Sequence, residues 1–182
     1  LSELGRPAGL FPADKVWTAS AGEGPAQLER SRARWRVPRL SLVQVHNLVN
    51  WQAHLPMLLE RKARGEIGYV GVTTSHGRRH RELESVMRSE PIDFVQLTYN
   101  PVDRAAEGRL LPLARERGIA VIVNRPFRRG ALTHGLAGTP LPAFAAEVGA
   151  LSWAEFHLKF ILSHPAVTVA IPATTVPAHA RE

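Results

Sequence analysis

Four apolar, β-branched runs recur at a constant interval, and this periodicity constrains the fold more than any other feature. They begin at residues 41, 67, 93 and 119, so that 26 residues separate each start from the next. Their sequences are SLVQVH, IGYVGVT, DFVQLTY and IAVIVN, and two outlying runs are similar, KVWTA (15–19) and AVTVAIP (166–172). Short runs that are apolar throughout are typical of strands buried on both faces of a parallel sheet.

Segments with helical periodicity separate these predicted strands. They are WQAHLPMLLERKARGE (51–66), RRHRELESVMRSE (78–90), DRAAEGRLLPLARERG (103–118) and SWAEFHLKFILSHP (152–165). Gly118 stands after the last arginine of the third segment, where a helix is expected to end. Alternating strands and helices predict an α/β protein that is either doubly wound or a (β/α)₈ barrel.

The barrel is favoured because the first strand lacks the Gly-x-Gly-x-x-Gly turn of a Rossmann fold. A complete barrel usually has about 250 residues. We therefore predict a (β/α)₈ TIM-barrel type fold in which about six of the eight βα units are present, as a single partial domain over residues 1–182.

Composition narrows the class of protein further. The chain has no cysteine, which excludes disulfides and thiolate metal sites, and no apolar run of the roughly 18 residues that cross a bilayer. Without a secretory signal at its start, we expect a cytoplasmic protein with no membrane partner. The net charge of +7 comes from scattered arginines, which favours a solvated basic surface over a nucleic-acid interface.

Polar side chains gather where the predicted strands end, the edge at which barrels carry their chemistry. These ends supply a lysine, a histidine, amides, hydroxyls and an arginine, with almost no carboxylates: Lys15, His46, Asn47, Thr73, Thr74, Gln96, Asn124, Arg125 and 173–175. A metal-dependent hydrolase would place histidine and aspartate ligands there, so no metal is expected. Each residue alone also has a structural interpretation, since a single histidine after a strand is more often structural and threonines commonly cap helices. Taken together, the amides and hydroxyls suit the carboxamide, riboses and phosphates of a dinucleotide, and arginine suits phosphate.

Four segments resemble the aldo/keto reductase family. They are VQVHN, GEIGYVGVTTS, DFVQLTYNPVDRAAEGRLLPLARERGIAVIVNRPF and SWAEFHLKFILSHPAVTVAIPATTVPAH. The resemblance implies a (β/α)₈ barrel that transfers hydride from a nicotinamide dinucleotide to an aldehyde or ketone. It identifies His46 with the histidine that orients the substrate carbonyl, and Lys15 with the lysine that lowers the pKa of a catalytic tyrosine.

The resemblance also implies a set of cofactor contacts. Thr73, Thr74 and Gln96 correspond to residues that hold the nicotinamide carboxamide, and Asn124 stands where many members stack a tyrosine. The loop with Arg125, Pro126, Phe127, Arg128 and Gly130 is expected to hold the diphosphate. Ala173, Thr174, Thr175 and His179 lie where the adenosine and its 2′-phosphate bind, although many members carry Lys-Ser and Arg there. We expect NADP as the cofactor, with NADPH preferred over NADH.

The family's catalytic Asp and Tyr precede the lysine, so we expect them in an upstream segment of a longer protein, with a further helix downstream. Neither Tyr69 nor Tyr99 matches the catalytic tyrosine motif, and the 182-residue chain alone should be nearly inactive.

The alternative is a truncated, inactive relative that retains dinucleotide binding or serves as a scaffold. Exposed apolar strand edges would then favour a homo-oligomer that closes them. We expect a small carbonyl substrate, no nucleic-acid partner, and no catalytic role for His134 or His157.

Overall fold

Strands alternate with helices throughout the computed structural model, which describes residues 9–176 and residue 179. The strands lie in the sheet in sequence order and are β1 Ala13–Val16, β2 Leu40–Val45, β3 Ile67–Thr73, β4 Phe94–Thr98, β5 Ala120–Asn124 and β6 Val169–Ala170. The α-helices are α1 Glu23–Trp35, α2 Trp51–Ala63, α3 His80–Ser89, α4 Leu110–Arg117, α5 Ala131–His134 and α6 Trp153–Leu162. Short 3₁₀ turns cover His46–Leu48, Ala105–Gly108 and Ala143–Ala146. This is the predicted α/β architecture with six strands.

The chain divides into two compact units. The first comprises the described residues up to Thr73 together with Ile92–Phe94, and the second comprises Thr74–Pro91 and the described residues from Val95 onward. None of the helices in the described part of the chain has the length and apolar character needed to span a bilayer.

In the first unit, three parallel strands form the core. Leu42 of β2 pairs with Ala13 of β1 and with Tyr69 of β3, in register along both neighbours. The apolar side chains of β2 are fully buried, as a strand covered on both faces requires. Gly71 is needed in β3 because a Cβ there would lie 2.5 Å from the carbonyl oxygen of Phe94.

In the second unit, β5 pairs in parallel with β6 through Ile122 and Val169. The helix α4 ends at Gly118, whose φ of 65° is left-handed, so the predicted helix stop is confirmed. Ser152 caps the start of helix α6, because its side chain accepts a hydrogen bond from the Glu155 N–H at 3.2 Å.

Three elements of the structure differ from the sequence-based prediction. The sequence pattern did not predict α1, since its one buried large apolar side chain is Leu28 and its remaining surface is largely polar or basic. Gly24 lets α1 approach α2 closely, because a Cβ there would lie 2.6 Å from Nδ1 of His54. The first strand spans Ala13–Val16 rather than 15–19, and the last is two residues long rather than 166–172, with Val169 40% exposed.

Candidate active site and cofactor site

His46 is the centre of a polar cluster in the first unit. It begins the 3₁₀ turn that follows β2. Its Nδ1 lies 3.0 Å from the Thr73 hydroxyl, and its Nε2 lies 3.3 Å from Nδ2 of Asn47. The same hydroxyl accepts a hydrogen bond from the Asn47 N–H at 2.8 Å. A neutral imidazole satisfies both contacts when Nδ1 carries the proton and Nε2 accepts from the amide.

Burial and the charge of Lys15 both favour the neutral form of His46. Burial lowers the pKa of His46, and the positive charge of Lys15 lowers it further. The pKa of Lys15 is itself lowered by burial, against the opposing effect of the Asp14 carboxylate. The rings of His46 and Trp17 are nearly perpendicular, with their centroids 5.3 Å apart, and Trp17 is 63% exposed. We call Lys15, Trp17, His46, Asn47 and Thr73 the histidine cluster.

A second polar cluster lies in the second unit and is organised by Asn124, at the end of β5. Its amide oxygen accepts a hydrogen bond from the Thr98 hydroxyl at 2.6 Å, and its amide nitrogen donates to the Thr74 carbonyl at 2.8 Å. The Thr74 N–H donates to the Gln96 carbonyl at 2.8 Å. We call Thr74, Gln96, Thr98 and Asn124 the amide cluster. Both polar ends of Asn124 are therefore engaged, the oxygen by the Thr98 hydroxyl and the nitrogen by the Thr74 carbonyl.

One side chain of the amide cluster has a buried hydrogen-bonding group without a partner. The Thr74 hydroxyl is buried and has no partner among the described residues. Buried polar groups are rarely left unpaired, because each costs about 1–3 kcal/mol. The Gln96 side chain is 6% exposed, and its amide is not among the buried groups that lack a partner. The unpaired Thr74 hydroxyl fits a ligand that carries a carboxamide.

The loop after β5 carries positive charge. Arg125, half-buried, donates to Nε2 of His76, while Arg128 pairs with Asp103 at 3.2 Å. Burial lowers the pKa of Arg125, and the charge of Arg129 lowers it further. Pro126 is buried and Phe127 half-buried, and Gly130 has a left-handed φ of 89° that suits glycine.

The last predicted segment is exposed. Ala173, Thr174, Thr175 and His179 follow β6, and the Thr174 hydroxyl lies 3.4 Å from Nδ1 of His179. Thus the structure groups Lys15, His46 and Thr73 in one unit, and Thr74, Gln96 and Asn124 in the other. The roles inferred for these residues from the family resemblance stay predictions.

Sequence reasoning omitted three residues that the structure adds to these clusters. Trp17 offered no signal beyond its proximity to Lys15 in the chain. Thr98 could have been found, since residues two apart in a strand share a face and Gln96 had been singled out. His76 lies in a polar loop, and its contact with Arg125 joins residues 49 positions apart.

Comparison with known proteins gives one consistent result. The family model described as "Aldo/keto reductase family" matches residues 16–182. An NADH-specific methylglyoxal reductase from Escherichia coli (strain K12) is 34% identical over 89 residues, which is 49% of this chain and 26% of that protein.

Solved structures share the fold. A thermostable aldo-keto reductase, Tm1743, bound to the inhibitor epalrestat is 26% identical, with a TM-score of 0.80 over 99% of this chain and 66% of that one. An aldo/keto reductase from Klebsiella pneumoniae, in complex with NADP and acetate, is 20% identical, with a TM-score of 0.77 over 94% of this chain and 62% of that one. The chain thus spans less than two thirds of the length of these relatives.

Proposed function

The chain belongs to the aldo/keto reductase family, and from this premise we propose that the protein reduces aldehydes or ketones to alcohols with a reduced nicotinamide dinucleotide. The observation that carries the proposal is the buried Thr74 hydroxyl of the amide cluster, which has no partner among the described residues. Family membership supplies the chemistry, and this hydroxyl with the nearly buried Gln96 supplies a place for the nicotinamide carboxamide. When bound, the reduced nicotinamide supplies the hydride.

Within the histidine cluster, His46 orients the substrate carbonyl. Thr73 holds Nδ1 of the imidazole, and Nε2 exchanges its contact with the Asn47 amide for the substrate. To donate to a carbonyl oxygen, the neutral ring then carries its proton on Nε2, while Nδ1 accepts from the Thr73 hydroxyl. Burial, and to a lesser extent the charge of Lys15, lower the pKa of His46 and so favour the neutral imidazole. The exposed indole of Trp17 provides an apolar wall beside the ring.

The proton that the alcohol gains comes from a residue other than the two tyrosines of this chain. Tyr99 is buried, its hydroxyl donates to Glu107 at 2.6 Å, and burial and that carboxylate raise its pKa. Tyr69 lies within β3 and stacks on Phe11. The engaged hydroxyl of Tyr99 and the packed ring of Tyr69 support the proposal of an upstream catalytic tyrosine.

We propose NADPH as the preferred cofactor, with Arg125 and Arg128 on the diphosphate and Thr174 with His179 near the adenosine. The name of the E. coli relative specifies NADH, whereas the Klebsiella structure holds NADP. Paired fluorescence titrations of the intact protein with NADPH and NADH test this preference. A tighter dissociation constant for NADH would overturn it.

Turnover tests the proposed reaction. The named substrate of the E. coli relative makes methylglyoxal the first carbonyl compound to assay, by the loss of reduced-nicotinamide absorbance. We expect His46→Gln to lower kcat/KM by about 10²-fold while leaving the cofactor dissociation constant unchanged. His134→Gln, a change of an exposed histidine, is the matched control. Equal activity of the His46 variant and the control would contradict the assignment.

The second candidate is a relative that binds the dinucleotide without turnover. It is favoured by the lack of a suitable tyrosine among the described residues, and it predicts cofactor binding with no reduction of any carbonyl compound. A second copy of the chain is the partner we propose for the exposed apolar edge at β6, where Val169 and Ile171 are 40% and 43% exposed. Light scattering that gives a monomer would exclude this partner.

A further inference from the structure

Three successive carbonyls of the loop after β1 accept hydrogen bonds from side chains on or beside helices α1 and α2. The carbonyls belong to Trp17, Thr18 and Ala19, and the donors are, in the same order, Gln27 of α1, His54 of α2 and Asn50, the N-cap of α2, at 3.3, 2.9 and 2.9 Å. We call these three donors the carbonyl clamp. Backbone groups outside a strand need such partners, and β1 ends at Val16.

Gln27 differs from the other two donors because it holds both backbone polar groups of one residue. Its Oε1 accepts from the Trp17 N–H at 2.5 Å, while its Nε2 donates to the Trp17 carbonyl. The amide thus pairs the backbone of Trp17 at the point where the strand has ended. Of the clamp residues, Gln27 therefore has the most direct hold on Trp17.

The packing of α1 brings Gln27 to the loop. Gly24, Gln27 and Leu28 lie on one face of this helix, because residues three and four positions apart share a face. Leu28 is buried and Gln27 is half-buried. A Cβ on Gly24 would lie 2.6 Å from Nδ1 of His54, so this face is in close contact with α2. The amide of Gln27 therefore reaches the loop from a fixed helix.

The residue that Gln27 holds carries an indole beside the histidine cluster's imidazole. The rings of Trp17 and His46 are nearly perpendicular, with their centroids 5.3 Å apart, and Trp17 is 63% exposed. A tryptophan side chain has only two torsions, so fixing its backbone confines the indole to a few staggered positions. The direction of this exposed ring thus depends on the backbone that Gln27 pairs.

We propose that Gln27 is a positioning residue that acts on substrate selection through Trp17. By holding the backbone of Trp17 it keeps the indole beside His46 as a flat apolar surface. The site then favours carbonyl compounds with a flat apolar substituent over small polar ones, because a surface that is already ordered loses little conformational freedom on binding. This proposal rests on the carbonyl reduction proposed above.

The test compares two carbonyl compounds with the intact protein and NADPH. Benzaldehyde carries a flat apolar ring, whereas methylglyoxal is small and polar, and the quantity measured is the ratio of their kcat/KM values. Gln27→Leu removes both hydrogen-bonding groups and should lower this ratio about three- to tenfold, through a higher KM for benzaldehyde at an unchanged kcat. A smaller folded fraction would lower both kcat/KM values equally and leave the ratio as it was.

Two further variants sharpen the comparison. Gln27→Glu keeps an acceptor for the Trp17 N–H but cannot donate to the Trp17 carbonyl, so its ratio should lie between those of the unchanged protein and Gln27→Leu. Gln52→Leu makes the same change at an exposed glutamine of the same unit and should keep the original ratio.

Fluorine NMR of protein labelled with fluorotryptophan observes the indole directly. The variant Trp17→Phe identifies the signal of this residue by its loss. Gln27→Leu should shift or broaden that signal, and Gln52→Leu should leave it unaltered.

The outcomes separate this proposal from the proposed function. A lower ratio together with an altered Trp17 signal supports the positioning role of Gln27. An unchanged ratio in Gln27→Leu, an equal fall in Gln52→Leu, or a lower ratio with an unaltered Trp17 signal overturns it, while turnover leaves the proposed function standing. If the unchanged protein reduces neither compound, the proposed function fails and selection by Gln27 fails with it. The Trp17 signal then decides whether Gln27 holds the indole at all.

Discussion

Replacing Thr74 with valine should stabilise the protein while weakening its affinity for the nicotinamide cofactor. Valine has nearly the shape of threonine and lacks the hydroxyl, which in Thr74 is buried without a partner among the described residues. Leaving such a group unpaired costs about 1–3 kcal/mol, so its removal should raise the free energy of unfolding by about 1–2 kcal/mol. If the hydroxyl bonds the carboxamide, its loss should weaken binding by about two- to tenfold.

The adjacent Thr73 is a matched control for the same substitution. Its hydroxyl accepts from the Asn47 N–H at 2.8 Å and contacts Nδ1 of His46 at 3.0 Å, and the side chain is fully buried. Thr73→Val leaves those two groups without their partner, so the free energy of unfolding should fall by about 1–3 kcal/mol. The same chemical change should therefore have opposite signs at neighbouring positions.

Urea denaturation measures both effects. With a slope of about 1–3 kcal/mol per molar urea, the midpoint should move up by roughly 0.5 M in Thr74→Val and down by at least as much in Thr73→Val, with unchanged slopes. Fluorescence titration with NADPH gives the affinities. Equal destabilisation by the two substitutions would show that the Thr74 hydroxyl has a partner in the protein, and the assignment of that hydroxyl to a ligand would then be wrong.

Three further predictions concern single side chains. Lys15→Met should raise the pKa of His46 toward its ordinary value, but only part of the way, because burial is the larger cause of the lowered pKa. An NMR titration of the His46 imidazole that shows no change in the variant would refute the electrostatic effect of Lys15. His157 is buried with Nδ1 unpartnered among the described residues, and burial lowers its pKa, so stability should fall as the pH drops below about 6.5, where the unfolded chain binds the proton. The variant His157→Leu should lose less stability in urea between about pH 7.5 and pH 5.5 than the unchanged protein, and an equal loss would count against this residue. Asn124→Ala leaves the buried Thr98 hydroxyl without its acceptor and should lower the free energy of unfolding by about 2–4 kcal/mol; a loss below about 1 kcal/mol would contradict the structural role of this amide.

The sequence alone determined the elements whose signals are local. The 26-residue repeat placed β2 to β5 within a residue or so of their observed ends, because a buried parallel strand is apolar along its whole length. Gly118 marked the end of α4, because a left-handed residue there favours glycine whatever the tertiary context. The sequence also singled out His46, Gln96 and the two threonines, since polar residues at the ends of buried strands are uncommon.

The tertiary structure alone decided which of those polar groups have partners in the protein. Thr73 and Thr74 are identical in sequence terms, yet one hydroxyl contacts His46 and the other has no partner among the described residues. Asn124, predicted as a cofactor contact, uses its amide to hold Thr98 and the Thr74 carbonyl, 50 positions away in the chain. Hydrogen bonds form between atoms brought together by folding, and their distance along the chain carries no record of that proximity. The sequence did not predict α1 for the same reason. The packing of this helix depends on the close approach of Gly24 to His54 of α2, which only folding brings about.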